Sequence, residues 1–366
     1  VKKIFIAATK QNDGKTTVAL GLIFNLQHRF KNIGFIKPIG QRYLEEEGLK
    51  IDEDSILIER VVRASRLSGG LKDMSPVAVE RGFTEAYIRR PDKEKITRQI
   101  KESFHRVSKK RDIVIIEGTG HAGVGSVFDH SNARVARMLG SKVILVSSGG
   151  IGRPIDEIIL NKALFDKERV ELAGVIINKV LPEKFNKVSG LVREGLRAKG
   201  IEVLGVVPYS PILASPSIAQ ILEETEFELI AADELSLTNK VARVIVGAME
   251  ARDALQYIVD DSLMITGGDR EDMLRAALDC YREKDKGRLR ISGVILSGGF
   301  VPQKNIINLF KEKSVAVLLA KADTYSVASL VRDITVKIRP QDKEKIDTVK
   351  GLIHDNVSLD RIIKKI

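Results

Sequence analysis

The sequence predicts an α/β fold: a doubly wound parallel sheet followed by a second, smaller α/β domain. Three observations carry this. Short, almost wholly apolar runs recur through the first half of the chain. Between them, apolar residues repeat every three or four positions. Strands buried on both faces read as continuous apolar runs, and their alternation with amphipathic helices marks a parallel sheet. The third is a break, Ser210-Pro211 to Ser215-Pro216, after which the alternation resumes. The expected boundaries are a first domain over 1–212 and a second over 213–366.

The elements follow in order. Lys3–Ala7 is a first strand, and Val18, Ala19, Leu22, Ile23 and Leu26 give the helix behind it. Further strands are expected at Asn32–Pro38, Asp112–Gly118, Lys142–Val146, Gly174–Asn178 and Val203–Pro208. Helical patterns at Asn132–Leu139, Ile155–Phe165 and Val188–Ala198 separate the later ones. In the second domain, strands are expected at Val241–Val246, Leu263–Thr266, Ile291–Leu296, Val315–Leu319 and Ile334–Ile338. A charged helix near Lys343–His354 follows them.

Composition narrows the class. With 366 residues and 43% hydrophobic content there is ample material for two or three cores. No apolar run approaches the roughly 20 residues of a membrane span. The chain enters a strand at once, which leaves no room for a leader peptide. A single cysteine, Cys280, excludes an internal disulfide or a cysteine-built zinc cluster and reads as a core thiol on a helix with Met273, Leu274, Ala277, Leu278 and Tyr281. A cytoplasmic location is the resulting expectation. The net charge is +11, and the densest basic stretch is RRPDKEKITRQIKESFHRVSKKR, from Arg89 to Arg111. Ile96, Ile100, Phe104 and Val107 make it an amphipathic helix with a solvated outer face. It lacks interleaved aromatics and nucleic-acid signatures, so a nucleic-acid partner is not expected. An anionic small ligand accounts for part of the charge.

The stretch AATKQNDGKTT, Ala7 to Thr17, lies between the first strand and its helix. It ends as a phosphate-binding loop does, but Thr9 stands where G-x-x-x-x-G-K-[ST] has its first glycine. Backbone N–H groups at a helix start hold phosphate, and the glycine lets the chain turn closely around it. Thr9, Asn12, Asp13, Gly14, Lys15, Thr16 and Thr17 are therefore the candidate nucleotide-binding residues. Lys15 would reach the terminal phosphates, and Thr16 would ligate magnesium. Lys10 lies five residues before Lys15. That spacing marks a variant loop whose second lysine contacts nucleotide, sometimes across a dimer; the other reading is an ordinary loop lysine.

Ligands in open parallel sheets bind at the carboxyl ends of strands. Glu117 ends the Ile113–Ile116 run, where a carboxylate orders the magnesium shell or polarises an attacking group. Asp54, in Asp52-Glu53-Asp54, is the second carboxylate candidate and equally suits a helix N-cap. Thr16, Asp54 and Glu117 would together supply oxygen ligands for Mg2+. Lys37 ends the second strand and would meet a phosphate or an anionic substrate. Asn178-Lys179-Val180-Leu181 begins like the guanine-reading N-K-x-D motif, but Leu181 replaces the aspartate. Adenine, faced by Asn178, is the expected base, and ATP with Mg2+ the expected cofactor pair.

These residues carry a resemblance. Positions 1–210 resemble the dethiobiotin synthetase-like P-loop family in T-x-x-x-x-G-K-T at Thr9–Thr16, Lys37-Pro38, E-G-x-G at Glu117–Gly120, Asn178-Lys179 and L-G-x-x-P at Leu204–Pro208. Positions from about 215 resemble a DRTGG-type domain through Val246–Met249, Thr266–Asp272 and Ser297–Phe300. The pairing is similar to the N-terminal, regulatory half of long-form phosphate acetyltransferases. The resemblance implies a P-loop NTPase fold, nucleotide contacts that extend to Pro208, and a homodimer. The acetyltransferase portion of such proteins would lie beyond Ile366, so no acetyl transfer is expected of these residues. Ala8, Asn12 and Gln41 depart from true dethiobiotin synthetases, which carry a glycine, an acidic residue and a serine there. ATP binding is implied more directly than biotin chemistry.

In the second domain, glycine-rich turns follow successive strands: Gly267-Gly268-Asp269-Arg270, Gly298-Gly299-Phe300 and Asp323-Thr324-Tyr325-Ser326. On one sheet edge they would form a concave site for a small metabolite, with Arg270 as anion contact, Asp269 as acceptor and Thr324 beside them. They also suit tight turns and helix caps. The expected function is a Mg-ATP-binding protein, a slow ATPase with a metabolite-sensing second domain. Lys10, Lys15, Lys37 and Glu117 are the candidate catalytic groups. The alternatives are a dethiobiotin-type carboxylase, in which Lys15 and Lys37 would stabilise an acyl-phosphate, and a non-catalytic nucleotide-binding subunit.

Overall fold

The computed structural model describes residues 1–62, 70–280 and 290–366. It divides into two compact units, Val1–Ser210 with Ile338–Ile366, and Pro211–Lys337. The first is built on a six-stranded parallel sheet of β1 (Lys2–Ala8), β2 (Ile33–Ile36), β7 (Ile113–Glu117), β8 (Lys142–Ser148), β9 (Leu172–Val180) and β10 (Val203–Pro208). Their order in space is β10-β9-β8-β1-β7-β2. The chain leaves central β1 for the edge strand β2, returns through β7, and then builds outward on the other side from β8. That reversal at β1 is the switch point where open α/β sheets bind ligands.

Both faces of the sheet are covered, because its strands are apolar through their middles and carry their polar residues near the ends. Phe5, Ala7, Val114, Ile116, Val143, Leu145, Val175 and Ile177 face one core, against helices that include Lys93–Ser108 and Gly152–Lys167. On the other face the helix Lys15–Leu26 packs against the helix Lys343–Asn356. A Cβ on Gly21 would fall 2.3 Å from Ile353, Asn25 Nδ2 donates to the Lys350 carbonyl at 3.1 Å, and Lys350 Nζ lies 4.4 Å from the centre of the Phe24 ring. The C-terminal segment also bridges Gly205 through Val357.

Four short strands complete this unit: β3 (Ile39–Gly40) pairs with β6 (Val77–Ala78), and β4 (Tyr43–Glu46) forms a hairpin with β5 (Leu49–Asp52). The hairpin turns at Glu47 and Gly48, both with positive φ, as a right-twisted two-residue connection requires. It delivers Asp52 to the start of the helix Glu53–Val62.

The second unit holds β11 (Glu228–Ala231), β12 (Arg243–Val246), β13 (Ser262–Gly267), β14 (Ile291–Ser297) and β15 (Ala316–Leu319), ordered β11-β15-β14-β13-β12. β11 is antiparallel to β15 and the others are parallel. The expected strand Ile334–Ile338 is not formed. Residues 334–338 follow the helix Thr324–Asp333 without regular structure, and the sheet edge beside β15 belongs to β11, whose half-exposed, charge-flanked run gave no alternation to read. The expected second domain to 366 is likewise corrected: residues 338–366 return to the first unit, because the apolar stripe Ile346, Val349, Ile353 is buried there. The amphipathic helix expected within the basic stretch is Lys93–Ser108, started by the Asp92 N-cap, with Ile96, Ile100 and Val107 on its buried side; a separate short helix, Phe83–Arg89, ends just before Pro91. The helix Glu271–Cys280 is present; the Cys280 side chain and Tyr281, read as part of its buried stripe, lie outside the described residues.

Candidate functional site: a phosphate-binding loop with a buried charge cluster

β1 ends at Ala8, and the helix Lys15–Leu26 begins six residues after Thr9. Gly14 between them is left-handed, at φ 97°, and no side chain caps the helix. The N–H groups of that first turn are thus kept for a ligand, in the arrangement that holds phosphate. A Cβ at position 14 would fall 2.2 Å from Asn178 Nδ2, so glycine is required by both its φ and its neighbour.

Thr9 is part of the loop's bracing. Its hydroxyl donates to Asp13 Oδ2 at 2.7 Å and lies 3.1 Å from Ser147 Oγ. The Lys10 N–H donates to the same Asp13 oxygen at 2.8 Å. Asp13 therefore ties the loop to its own start. Asn178 Nδ2 donates to the Asp13 carbonyl at 2.9 Å, and Lys179 Nζ to the Asn12 carbonyl at 2.7 Å. The N-K pair at the end of β9 thus clamps the loop from the side. Pro208 closes β10, and Tyr209 N–H next to it donates to the Val180 carbonyl. The Lys10 side chain pairs with Glu157, which Arg153 also contacts at 2.7 Å.

Behind the loop lies a buried charge cluster. The Thr16 hydroxyl donates to Glu117 Oε1 at 2.8 Å. Lys37 Nζ pairs with Asp54, lies 3.0 Å from Asp52 Oδ1 and 3.7 Å from Glu117 Oε1. Glu117 is 0% exposed, Asp52 2%, Lys37 7% and Lys15 8%. Asp52 Oδ1 also accepts the Asp54 N–H at 2.9 Å, so the helix cap considered for Asp54 is made by Asp52.

Burial makes these groups shift one another. Loss of solvation, with the Asp54 charge nearby, pushes the Glu117 carboxyl up to about 7, against the pull of Lys37, Lys15 and the Thr16 hydroxyl. Burial alone would lower Lys37, but Asp54, Asp52 and Glu117 together hold it well above the ordinary lysine value. Lys15 is lowered, chiefly by burial and further by Lys37, with Glu117 opposing. Lys15 is thus a buried cation at the mouth of a helix N-terminus.

The residues present fit a magnesium ion that arrives with phosphate. Glu117 Oε2 is buried and has no hydrogen-bond partner; beside it the Thr16 hydroxyl adds a hard oxygen donor. Among the described residues there is no group of three or more His, Cys, Asp or Glu side chains placed to hold a metal alone. Asp54 is engaged by Lys37, whose Nζ also lies 3.7 Å from Glu117 Oε1, so Thr16, Glu117 and Asp54 stand around one cluster. Mg2+ in nucleotide sites characteristically uses one or two carboxylates, with phosphates and water completing its shell.

The second unit does bring its three turns together, at the carboxyl edge of β13, β14 and β15. Gly268 N–H donates to the Ser297 carbonyl at 3.2 Å, and Ser297 Oγ lies 2.7 Å from Thr324 Oγ1. A Cβ at Gly268 would fall 1.7 Å from the Phe300 carbonyl, so only glycine allows these two turns to meet. Thr266 Oγ1 is buried beneath them without a partner. Arg270, however, is engaged: its guanidinium donates to both Asp272 oxygens, at 2.8 and 2.7 Å, and to the Met249 carbonyl. These bonds hold the Asp272 carboxyl down to about 2. Asp269 is exposed, and Asp323 caps the helix Thr324–Asp333 through Tyr325 N–H and Ser326 N–H.

Sequence reasoning overlooked Asp52, Ser147, Glu157 and Asn161. Asp52 was legible as the last residue of a strand directly before a helix. Asn161 donates to the Thr9 carbonyl and accepts from Ala122 N–H, a pairing that no local pattern encodes.

A parallel sheet with a phosphate loop at its switch point, a Lys-Thr pair and a strand-end carboxylate defines a P-loop NTPase-like domain, here followed by a smaller α/β domain with a mixed sheet. The chain belongs to the AAA-domain family, whose profile matches residues 2–217, and a DRTGG domain occupies residues 220–334. Its curated relatives include the phosphate acetyltransferases of Nitrosomonas europaea, 23% identical over 99% of this chain and 51% of the relative, and of Synechocystis sp., 24% identical over 98% and 51%. The chain thus spans about half the length of the relatives it matches, as the likeness to the N-terminal half of long-form phosphate acetyltransferases implies. Among solved structures, MinD from Pyrococcus horikoshii is 18% identical, covering 58% of this chain and 83% of that one, with a TM-score of 0.35. The CBS and DRTGG domains of the Clostridium perfringens pyrophosphatase regulatory region are 19% identical, covering 48% and 85%, with a TM-score of 0.29. No helix among the described residues is long and apolar enough to cross a membrane.

Proposed function

We propose that the first unit binds Mg-ATP at the Thr9–Thr17 loop and hydrolyses it slowly, and that the second unit regulates the protein by binding a small metabolite. The observation that carries the first part is the pairing of Thr16 with a fully buried Glu117 whose other oxygen has no partner. A buried carboxylate left so is costly unless a ligand completes it. In this reading the N–H groups after Gly14 and Lys15 bind the phosphates, and Thr16 and Glu117 would hold Mg2+, which when bound neutralises phosphate charge. Lys37 is placed to keep Asp52, Asp54 and Glu117 in position. A P-loop protein without a supplied arginine hydrolyses at roughly 10⁻⁴ to 10⁻³ per second, and a similar rate is expected. Adenine is favoured because the N-K pair lacks the guanine-reading aspartate, Leu181 standing in its place.

The test is equilibrium binding of fluorescent ATP and GTP analogues, with magnesium or with EDTA, to the wild-type chain and Lys15→Ala. The reading expects Mg-dependent ATP binding, weaker GTP binding and loss of both in the variant. Equal binding by Lys15→Ala would overturn it. ADP release that rises strongly with diaminopelargonate and bicarbonate would favour a carboxylase instead. For the second unit, the convergence of the Gly267–Arg270, Gly298–Phe300 and Thr324 turns over the unpartnered Thr266 hydroxyl supports a ligand site; the Arg270–Asp272 pair would have to open for Arg270 to meet an anion.

A further inference from the structure

At the end of the first unit's sheet opposite the phosphate loop, a second concave site collects cations. The cavity, about 580 Å³, lies where edge strand β10 begins and is lined by Arg193, Arg197, Glu202, Val203, Arg361 and Lys365. Four cationic side chains thus face one carboxylate. Glu202 is shared between Lys365 Nζ at 3.1 Å and Arg361 at 3.9 Å. Arg193 donates to the Val203 carbonyl at 3.0 Å, a neutral partner that leaves its charge unbalanced. Arg197 has no side-chain partner among the described residues.

Basic residues in the last turn of a helix ordinarily complement its dipole, and Arg193 and Arg197 lie near the end of the helix Phe185–Arg197. Dipole compensation does not account for this cluster. The terminal carbonyls of that helix are already satisfied by backbone: Ala198, Gly200 and Ile201 N–H groups donate to Glu194, Arg197 and Leu196. Arg361 belongs to a different helix, Leu359–Lys365, and not to its last turn. Like charges on two separate helices are therefore brought together in one hollow, where burial, and after it Arg361, lowers the Arg193 guanidinium. Such convergence is unfavourable by itself and is relieved by an anion.

We propose that this hollow is a second anion site, distinct from the phosphate loop, that binds a compact polyphosphate group. Guanidinium forks match phosphate oxygens in pairs, and three of the four cations are arginines. The volume lies within the range of small-molecule sites, about 300–1,000 Å³. No aromatic side chain lines it, so nothing is offered for a base to stack on. The site therefore recognises charge density rather than a nucleobase, and pyrophosphate is the natural probe.

The experiment is calorimetric titration of inorganic pyrophosphate into the full chain carrying Lys15→Ala, which disables the phosphate loop, at low and moderate salt. Binding is expected to persist in that variant, to weaken at least tenfold on adding Arg197→Glu with Arg361→Glu, and to weaken as salt rises. Arg197→Gln with Arg361→Gln serves as a milder pair, and thermal melting verifies that each variant is folded. Loss of all pyrophosphate binding on Lys15→Ala alone, or binding unchanged by either arginine pair, would overturn the proposal. So would a single-stranded RNA oligomer that binds the hollow and excludes pyrophosphate, since that would make it a nucleic-acid surface. Failure of ATP to bind at the loop would leave this site standing, so the two proposals fall separately.

Discussion

The Thr16 hydroxyl donates to Glu117 Oε1 at 2.8 Å across 101 positions of sequence. One residue opens the helix after β1, and the other closes β7, the neighbouring strand. Their meeting joins the phosphate loop to a carboxylate at the end of an apolar strand. It also sets a pH dependence. Glu117 is raised from 4.5 to about 7 in the folded chain, so between those values the folded state binds more proton than the unfolded one. Stability contributed by protonated Glu117 is present at low pH and lost as pH rises through about 7. In urea unfolding of the nucleotide-free protein, the stability difference between wild type and Glu117→Gln should shift by on the order of 3 kcal/mol between pH 5 and pH 8, against wild type at the higher pH. Parallel pH profiles for the two proteins would show that Glu117 does not titrate there.

Lys37 holds three carboxylates, and its removal is expected to be severe. Breaking a buried pair by deleting one partner costs about 3–5 kcal/mol, so Lys37→Met should lower the denaturation midpoint sharply. Adding Asp54→Asn should recover part of that loss, because one of the stranded charges is removed. A double variant no more stable than the single one would mean that the cluster is not held by charge.

Gly14→Ala tests the loop geometry. A non-glycine residue in the left-handed region costs roughly 1–2 kcal/mol, and here its Cβ would also meet Asn178 at 2.2 Å. The expected result is a loss of about 2 kcal/mol or more, with ATP binding reduced at least tenfold. Normal stability with normal binding would contradict the geometry.

Lys10 lies in an ion pair with Glu157 rather than over the loop. The pair is half-buried, and pairs in contact with solvent contribute about 0–1 kcal/mol, so Glu157→Gln should change stability by no more than about that. If Lys10 acts on nucleotide, in its own subunit or a neighbour's, releasing it should raise ATP turnover a few-fold, and Lys10→Ala should abolish the rise. Turnover that ignores both changes would assign Lys10 to the loop surface.

Much of this was legible because the relevant signals are local. Apolar runs such as Ile113–Ile116 can only be strands covered on both faces, and a Gly-Lys-Thr between strand and helix fixes the loop. The weaker readings failed where the deciding contact is distant. Glu228–Ala231 is a strand only because the edge of β15 is open to it. Residues 338–366 rejoin the first unit because Ile353 packs over Gly21, which nothing near position 353 reveals. The engagement of Asp54 by Lys37 depends on a separate strand end, which nothing near position 54 reveals. Asp52 was passed over because the hairpin that presents it is short and largely polar.

The central claim is that this loop turns over ATP with Glu117 at its heart. The most direct measurement is ADP release from Mg-ATP by wild type and Glu117→Gln, alongside their affinities for ATP. Slow release by wild type, at least tenfold slower release by the variant and affinities within about threefold are expected. Equal release by both proteins, or no ATP binding by wild type, would contradict it.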